Sequence, residues 1–301
     1  MVQAMKLIHC QWHDLKAPSG YQVISTELDQ LTQSERESVE IYIPKYMGGA
    51  KALSEIANFP NLKVVQLLMA GYEDALPHVR KGVRLCNARG VHDQSTAELG
   101  VALLASYFLG IKGYIKNMDI GKWDGSRRNS LYGKRVAIIG AGSVGTRLKE
   151  ILDAFKVEST FFARSARNGV YAISELSSKI SEFDAVVLIL PLTNESRHLI
   201  TAKELAKMKL GALLVNLARG AIVKTDDLVE ALRNGNIAAA LDVTDPEPLP
   251  SDHELWRMPN VIISPHVGGN SNAFEPQARE FLEAQLARYA TNGELINEIE
   301  F

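Results

Sequence analysis

The sequence predicts an α/β protein built from two doubly wound parallel sheets, and three features predict it. Short β-branched runs alternate with helix-like stretches from Lys6 to Ser264, the pattern of successive βαβ units. Midway, Val136-Ala137-Ile138-Ile139 runs straight into Gly140-Ala141-Gly142-Ser143-Val144-Gly145, and a helical stretch to Phe155 comes at once. At 301 residues the chain is long for one domain and comfortable for two.

Composition narrows the class. With 46% hydrophobic residues, 23% charged residues and a net charge of −2, the chain reads as an ordinary globular protein. Acidic and basic residues are interspersed, which leaves no electrostatic footprint for nucleic acid or an anionic membrane. No apolar run reaches the length of a membrane span. The stretch Met1–Lys6 lacks a basic segment followed by an apolar core, so a cytoplasmic location is expected. Cys10 and Cys86 each sit in an apolar strand-like run and read as buried small hydrophobes. No disulfide and no metal site is expected.

In the first ninety residues the strand candidates are Lys6–Cys10, Tyr21–Ser25, Val39–Ile43, Lys63–Leu68 and Val83–Cys86, with helices between them such as Lys51–Asn58. The fourth of these strands runs out into a small-residue loop, Met69-Ala70-Gly71-Tyr72. There an open α/β sheet offers backbone N–H groups to a ligand. Ser95-Thr96-Ala97-Glu98 reads as a capping box that opens one helix running to about Met118. Leu99, Val101, Leu103, Leu104 and Phe108 make it apolar over much of its girth. Such a helix must be covered on most sides, as a buried spine, a dimer face, or both. A polar loop, Trp123 to Tyr132, leads to the glycine motif.

Six further strands are expected: Val136–Ile139, Ser159–Ala163, Ala185–Leu190, Ala212–Asn216, Ala238–Val243 and Val261–Ser264. Helices fall near Ser143–Phe155, Ile173–Lys179, Ala202–Met208 and Asp226–Asn234. A terminal helix, Phe274–Tyr289, is expected to return to the first domain. The domains are therefore 1–93 with 273–301, smaller and flavodoxin-like, and 94–272, a Rossmann dinucleotide-binding domain. The chain crosses between them near Gly90–Asp93 and Gly268–Asn272, and two crossings at glycines fit a hinged cleft.

The glycine motif stands in the strand–turn–helix context that makes it readable as a dinucleotide site. Its first glycine permits the tight turn, its second lets backbone approach a pyrophosphate, and its third lets helix pack on strand. The helix N-terminus behind it favours phosphate. Three later strands end in chemistry-bearing residues: Asn216-Leu217-Ala218-Arg219-Gly220, Asp242-Val243-Thr244-Asp245-Pro246-Glu247, and Ser264-Pro265-His266-Val267-Gly268-Gly269. Strand C-termini form the ligand edge of such a sheet, so Arg219, Glu247 and His266 converge by topology. Arg219 offers a planar fork of donors suited to a carboxylate and a neighbouring carbonyl. His266 is a proton donor and acceptor in the physiological range, and Glu247, where it meets His266, fixes the ring.

On these segments, together with Leu190-Pro191-Leu192-Thr193 and Glu247-Pro248-Leu249, the chain resembles the D-isomer-specific 2-hydroxyacid dehydrogenase family. The likeness covers most of the chain and is densest from Gly140 to Gly269. It implies hydride transfer between a nicotinamide and the C2 atom of a small 2-oxoacid, with glyoxylate or hydroxypyruvate favoured. It also implies a catalytic triad of Arg219, Glu247 and His266. Substrate contacts would come from Ala70, Gly71, Tyr72 and Arg219. Cofactor contacts would come from Gly140, Gly142, Ser143, Val144, Gly145, Pro191, Leu217, Ala218, Asp242, His266 and Gly268, with Asp242 orienting the carboxamide or else serving as a buried capping acid, and a homodimer is expected.

The chain departs from the family pattern in three places. Ile189 stands where many relatives carry histidine, and Tyr72 where smaller aliphatics are common, which narrows the substrate pocket. The second strand of the nucleotide domain ends Ala163-Arg164-Ser165-Ala166-Arg167. NAD-specific relatives place an acid there, about 20 residues beyond the glycines, for the ribose 2′-hydroxyl. Arg164, Ser165 and Arg167 instead suit a 2′-phosphate, so NADPH is expected over NADH. Two other functions share the architecture. One is a nucleotide-sensing, corepressor-like binding protein, which turnover of an oxoacid would exclude. The other is formate oxidation, whose enzymes pair the histidine with glutamine where this chain has Glu247.

Overall fold

The computed structural model describes residues 5–301. Residues 1–4, part of the stretch read for a leader, lie outside the described residues. The described residues form two compact units, 5–92 with 272–301 and 93–271.

In the first unit, β1 (Lys6–His9), β2 (Tyr21–Ile24), β3 (Val39–Tyr42), β4 (Val64–Gln66) and β5 (Arg84–Cys86) pair in parallel in the order β2-β1-β3-β4-β5. This is the flavodoxin-like order, whose ligand edge lies at the strand C-termini. The helix Phe274–Ala290 packs against this sheet. Its Phe274, Ala278, Leu282 and Leu286 recur every fourth residue and share a core with Ile8, Ile41, Val64 and Cys86. One strand was not expected. Glu298–Ile299 adds antiparallel to β5, and the Arg84 guanidinium grips Glu298 with two bonds of 2.8 and 2.5 Å.

The second unit holds β6 (Arg135–Ile139), β7 (Glu158–Ala163), β8 (Val170–Ala172), β9 (Ala185–Leu188), β10 (Ala212–Asn216), β11 (Ile237–Leu241) and β12 (Val261–Ile263). They form one parallel sheet in the order β8-β7-β6-β9-β10-β11-β12. Counted from the glycine strand, that is the doubly wound order 3-2-1-4-5-6 with one strand added. Seven strands stand here rather than the expected six, because Val170–Ala172 pairs with β7. Alternate residues of β6 enter opposite cores, Val136 and Ile138 on one face, Ala137 and Ile139 on the other. Both faces are covered, so the edges of the sheet are what remain for function.

The long helix differs from expectation at both ends. It begins at Asp93, so Ser95–Glu98 lies inside its first turns rather than capping it, and Asp93 supplies the acidic first residue. It also stops at Phe108. Gly110, at φ 72°, takes the left-handed conformation open to glycine, and a second helix, Ile111–Asp119, leaves at 64° to the first. Among the described residues no single helix is long and apolar enough to cross a membrane.

Candidate active site

Strand register sets the site in the second unit. Phe162, Ile139, Leu188, Asn216, Leu241 and Ile263 lie in one row across six strands. The loops beyond that row leave the sheet at the same edge. They carry Arg164 after β7, Gly140 after β6, Pro191 after β9, Arg219 after β10, Asp242 after β11 and His266 after β12.

The glycine turn fits a dinucleotide. A Cβ on Gly140 would lie 2.4 Å from the Ile189 carbonyl oxygen, and one on Gly145 would lie 2.2 Å from that of Gly140. The protein's own packing therefore requires these two glycines. Gly142 has nothing within 4 Å of its Cβ position. It is exposed and immediately precedes the helix Ser143–Ala154. The open space beside it and the helix N-terminus suit an approaching phosphate. Ser143 is exposed and Val144 half-buried at that helix start.

His266 Nδ1 and Glu247 Oε1 lie 2.5 Å apart, with both side chains about two-fifths exposed. The carboxylate fixes the ring through Nδ1 and leaves Nε2 outside that contact. The backbone of His266 is held in the left-handed region at φ 54°. Asp242 builds that turn. Its carbonyl accepts the His266 N–H at 2.7 Å, its Oδ1 accepts Ser264 Oγ at 2.7 Å and the Val267 N–H at 3.0 Å, and its Oδ2 accepts the Gly268 N–H at 3.0 Å. Asp242 is 4% exposed. It thus caps the His266 turn, and a carboxylate oxygen that takes one N–H keeps capacity for a second donor.

Arg219 is half-buried, and its Nη1 donates to the carbonyl of Ala218 at 2.7 Å. Asn216, buried at the end of β10, shapes the turn. Its Oδ1 accepts the Ala218 N–H at 3.1 Å and its Nδ2 donates to the Arg219 carbonyl at 3.0 Å. Leu217 and Ala218 point their side chains into the two cores, so only their backbone faces the edge.

The basic loop after β7 is exposed throughout Arg164, Ser165 and Arg167. Arg167 bends back over the glycine turn and donates to the Ala141 carbonyl at 3.3 Å. Arg164 has no hydrogen bond or ion pair among the described residues. Its charge reaches Glu195, whose carboxyl is held below the usual carboxylate range by the Thr193 hydroxyl first and by Arg164 last. Pro191 is exposed, its carbonyl held by Ser196 Oγ at 2.8 Å.

The family described as D-isomer specific 2-hydroxyacid dehydrogenase, NAD binding domain, matches residues 101–268. The chain belongs to that family. Among its relatives is an uncharacterized protein of the proB 3′ region of Corynebacterium melassecola, 37% identical over 80% of this chain and 83% of that protein. A glyoxylate reductase of Thermococcus litoralis is 30% identical over 93% of this chain and 86% of its own. An NADPH-dependent glyoxylate/hydroxypyruvate reductase from Sinorhizobium meliloti, solved with NADP and sulfate, superposes with a TM-score of 0.80 at 25% identity, over 94% of this chain and 92% of that one. The chain is thus an NAD(P)-dependent oxidoreductase of the D-2-hydroxyacid dehydrogenases.

In this dehydrogenase, Ala70, Gly71 and Tyr72 come after β4 at the C-terminal edge of the first unit's sheet. Tyr72 is half-buried against that unit's core, and its N–H is taken by Glu73 Oε2 at 2.9 Å. The N–H groups of Ala70 and Gly71 donate to nothing among the described residues. Asn216, Ser264 and Glu73 are the residues that sequence reasoning missed here. A polar residue closing an apolar run, as Asn216 does, was the available signal.

Proposed function

We propose that this dehydrogenase reduces a small 2-oxoacid, glyoxylate or hydroxypyruvate, to the D-2-hydroxyacid with NADPH as the preferred reductant. The observation that carries the cofactor reading is the exposed pair of arginines after β7, one of which already rests on the glycine turn. A guanidinium pairs with a phosphate through two parallel bonds, whereas an acid there would repel it. The names of the relatives support the substrate class.

The bound nicotinamide supplies the hydride. The chain's residues do the rest. Ala70 and Gly71 offer two free N–H groups to the substrate carboxylate. Arg219 swings from the Ala218 carbonyl to the carboxylate and the reacting carbonyl oxygen, and its charge draws electron density from C2. His266, its Nδ1 held by Glu247, delivers the Nε2 proton to that oxygen. In the reverse direction the same nitrogen takes the proton back. Gly142, Ser143 and Val144 would receive the pyrophosphate, and Pro191, Asp242 and Gly268 would line the nicotinamide side.

The protein acts as a cytoplasmic homodimer in this reading. The bent pair of helices and the loop after it expose Ile115, Met118, Ile120 and Trp123, the last 98% exposed, an apolar face that a second copy would cover. Initial rates with a panel of 2-oxoacids, each with NADPH and NADH, test the reading. Higher kcat/KM for glyoxylate or hydroxypyruvate with NADPH supports it, and equal efficiency with NADH removes the cofactor preference.

A further inference from the structure

The loop that carries Ala70 and Gly71 is clamped by the segment just after β5. The Leu68 carbonyl lies 2.9 Å from His92 Nε2, the Met69 carbonyl accepts the Ala88 N–H at 2.9 Å, and the Ala70 carbonyl accepts Asn87 Nδ2 at 2.7 Å. Three successive carbonyls are thus pinned to one stretch of chain. In a planar trans peptide the C=O and the next residue's N–H point in opposite directions. Pinning the Met69 and Ala70 carbonyls therefore aims the N–H groups of Ala70 and Gly71 away from that stretch, side by side. Consecutive amides aimed one way form an anion-binding concavity. Two of the three pins are ordinary loop contacts. Asn87 is different, because a buried side chain, 6% exposed, makes the last one. Its orientation is fixed from both ends, since Oδ1 accepts the Arg89 N–H at 3.2 Å while Nδ2 faces the Ala70 carbonyl. Its own N–H donates to the Asn297 carbonyl at 3.1 Å.

We infer that Asn87 is a positioning residue for the substrate carboxylate, acting by holding the Ala70–Gly71 peptide so that its N–H meets the anion. This rests on the oxoacid-reductase reading. Asn87 touches neither substrate nor cofactor. It sets the direction of one donor, so it governs oxoacid binding far more than it governs the hydride step or NADPH.

The test is Asn87→Asp. The variant keeps the shape and the acceptor for Arg89, but puts an oxygen against the Ala70 carbonyl and drives that peptide to turn. The expected result is a rise of roughly 10- to 150-fold in KM for hydroxypyruvate, the span of one charge-assisted hydrogen bond. Inhibition by oxamate should weaken in parallel, with kcat within about threefold of wild type and NADPH affinity unchanged. Asn87→Ser, which loses the reach of the amide without adding charge, should raise KM in the same direction and replaces the aspartate variant if that one does not fold. An oxoacid KM within twofold of wild type, in a variant that still binds NADPH, overturns the inference. Failure of the wild-type protein to reduce any 2-oxoacid with either nicotinamide is a different result, and it removes the functional reading beneath.

Discussion

Replacing Asp242 by asparagine separates a capping acid from a carboxamide ligand. The carboxylate accepts three hydrogen bonds from Ser264, Val267 and Gly268. Asparagine keeps one oxygen and turns the other into a donor. In either orientation an NH2 group then faces a backbone N–H that has lost its acceptor. Bonds to a charged group contribute about 1.5–3 kcal/mol, and an orphaned buried donor costs about 1–3 kcal/mol. That sum exceeds the roughly 1–2 kcal/mol by which a left-handed conformation is disfavoured at a residue such as His266. The turn is expected to relax, and Nε2 of His266 to lose its aim. A positioned acid or base contributes about 10²–10⁴-fold, so a partial loss of position should lower kcat about 10- to 100-fold. The assay is steady-state reduction of hydroxypyruvate, with NADPH affinity from fluorescence and Tm from calorimetry. A lowered Tm with kcat within twofold of wild type would refute the reasoning. So would a large loss of NADPH affinity with kcat unchanged, which would give Asp242 to the carboxamide.

Removing the His266 side chain, as His266→Ala, should cost about 10²–10⁴-fold in kcat with NADPH affinity retained, measured by pre-steady-state rates. Arg219→Lys should weaken oxoacid binding and slow turnover together, because a point charge cannot reproduce the fork; unchanged kinetics would make the arginine structural. Arg164→Asp should erode or reverse the NADPH preference, by roughly 10- to 150-fold for one charge-assisted contact, with added salt shrinking the wild-type preference because the loop is exposed. Burial, opposed by the hydrogen bond to the Thr26 carbonyl, lowers the pKa of His9 below its ordinary 6.5. The unfolded chain therefore takes up a proton near that pH which the folded chain refuses, and stability falls as pH drops below 6.5, by at most about 1.4 kcal/mol per pH unit for this group. Urea midpoints at pH 7.5 and 5.5 should differ less in His9→Leu than in wild type.

The main strands were legible because buried parallel strands are near-continuous apolar runs. The elements that escaped lack a signal of their own. Val170–Ala172 spans three residues and Glu298–Ile299 two, too few for periodicity to speak. They exist because an established strand offers its edge, and in the second case because Arg84 meets Glu298. The break at Gly110 was hidden differently. A single glycine in a helical pattern is compatible with a continuous helix, at a cost of about 1 kcal/mol. The sequence does not say that the glycine adopts φ 72° instead.

At the site, residue types were legible and directions were not. Arg219, Glu247 and His266 stood at strand ends, and the register puts the row behind them in line. Which N–H groups Asp242 accepts, and which carbonyl Asn87 grips, depends on where a distant turn folds back. Yet one local pattern was present twice. Leu85-Cys86-Asn87-Ala88-Arg89-Gly90 and Leu214-Val215-Asn216-Leu217-Ala218-Arg219-Gly220 each close an apolar strand with asparagine and continue to Ala-Arg-Gly. In both, Oδ1 accepts the N–H two residues on, as in an Asx turn. In both, Nδ2 is thereby left to hold a carbonyl of a loop at the strand's C-terminal edge, Ala70 in one unit and Arg219 in the other. A buried asparagine at that place serves because its two ends are chemically opposite. One end satisfies the backbone that leaves the strand, and the other fixes a peptide plane beside it. Aspartate, with two acceptors, can do only the first.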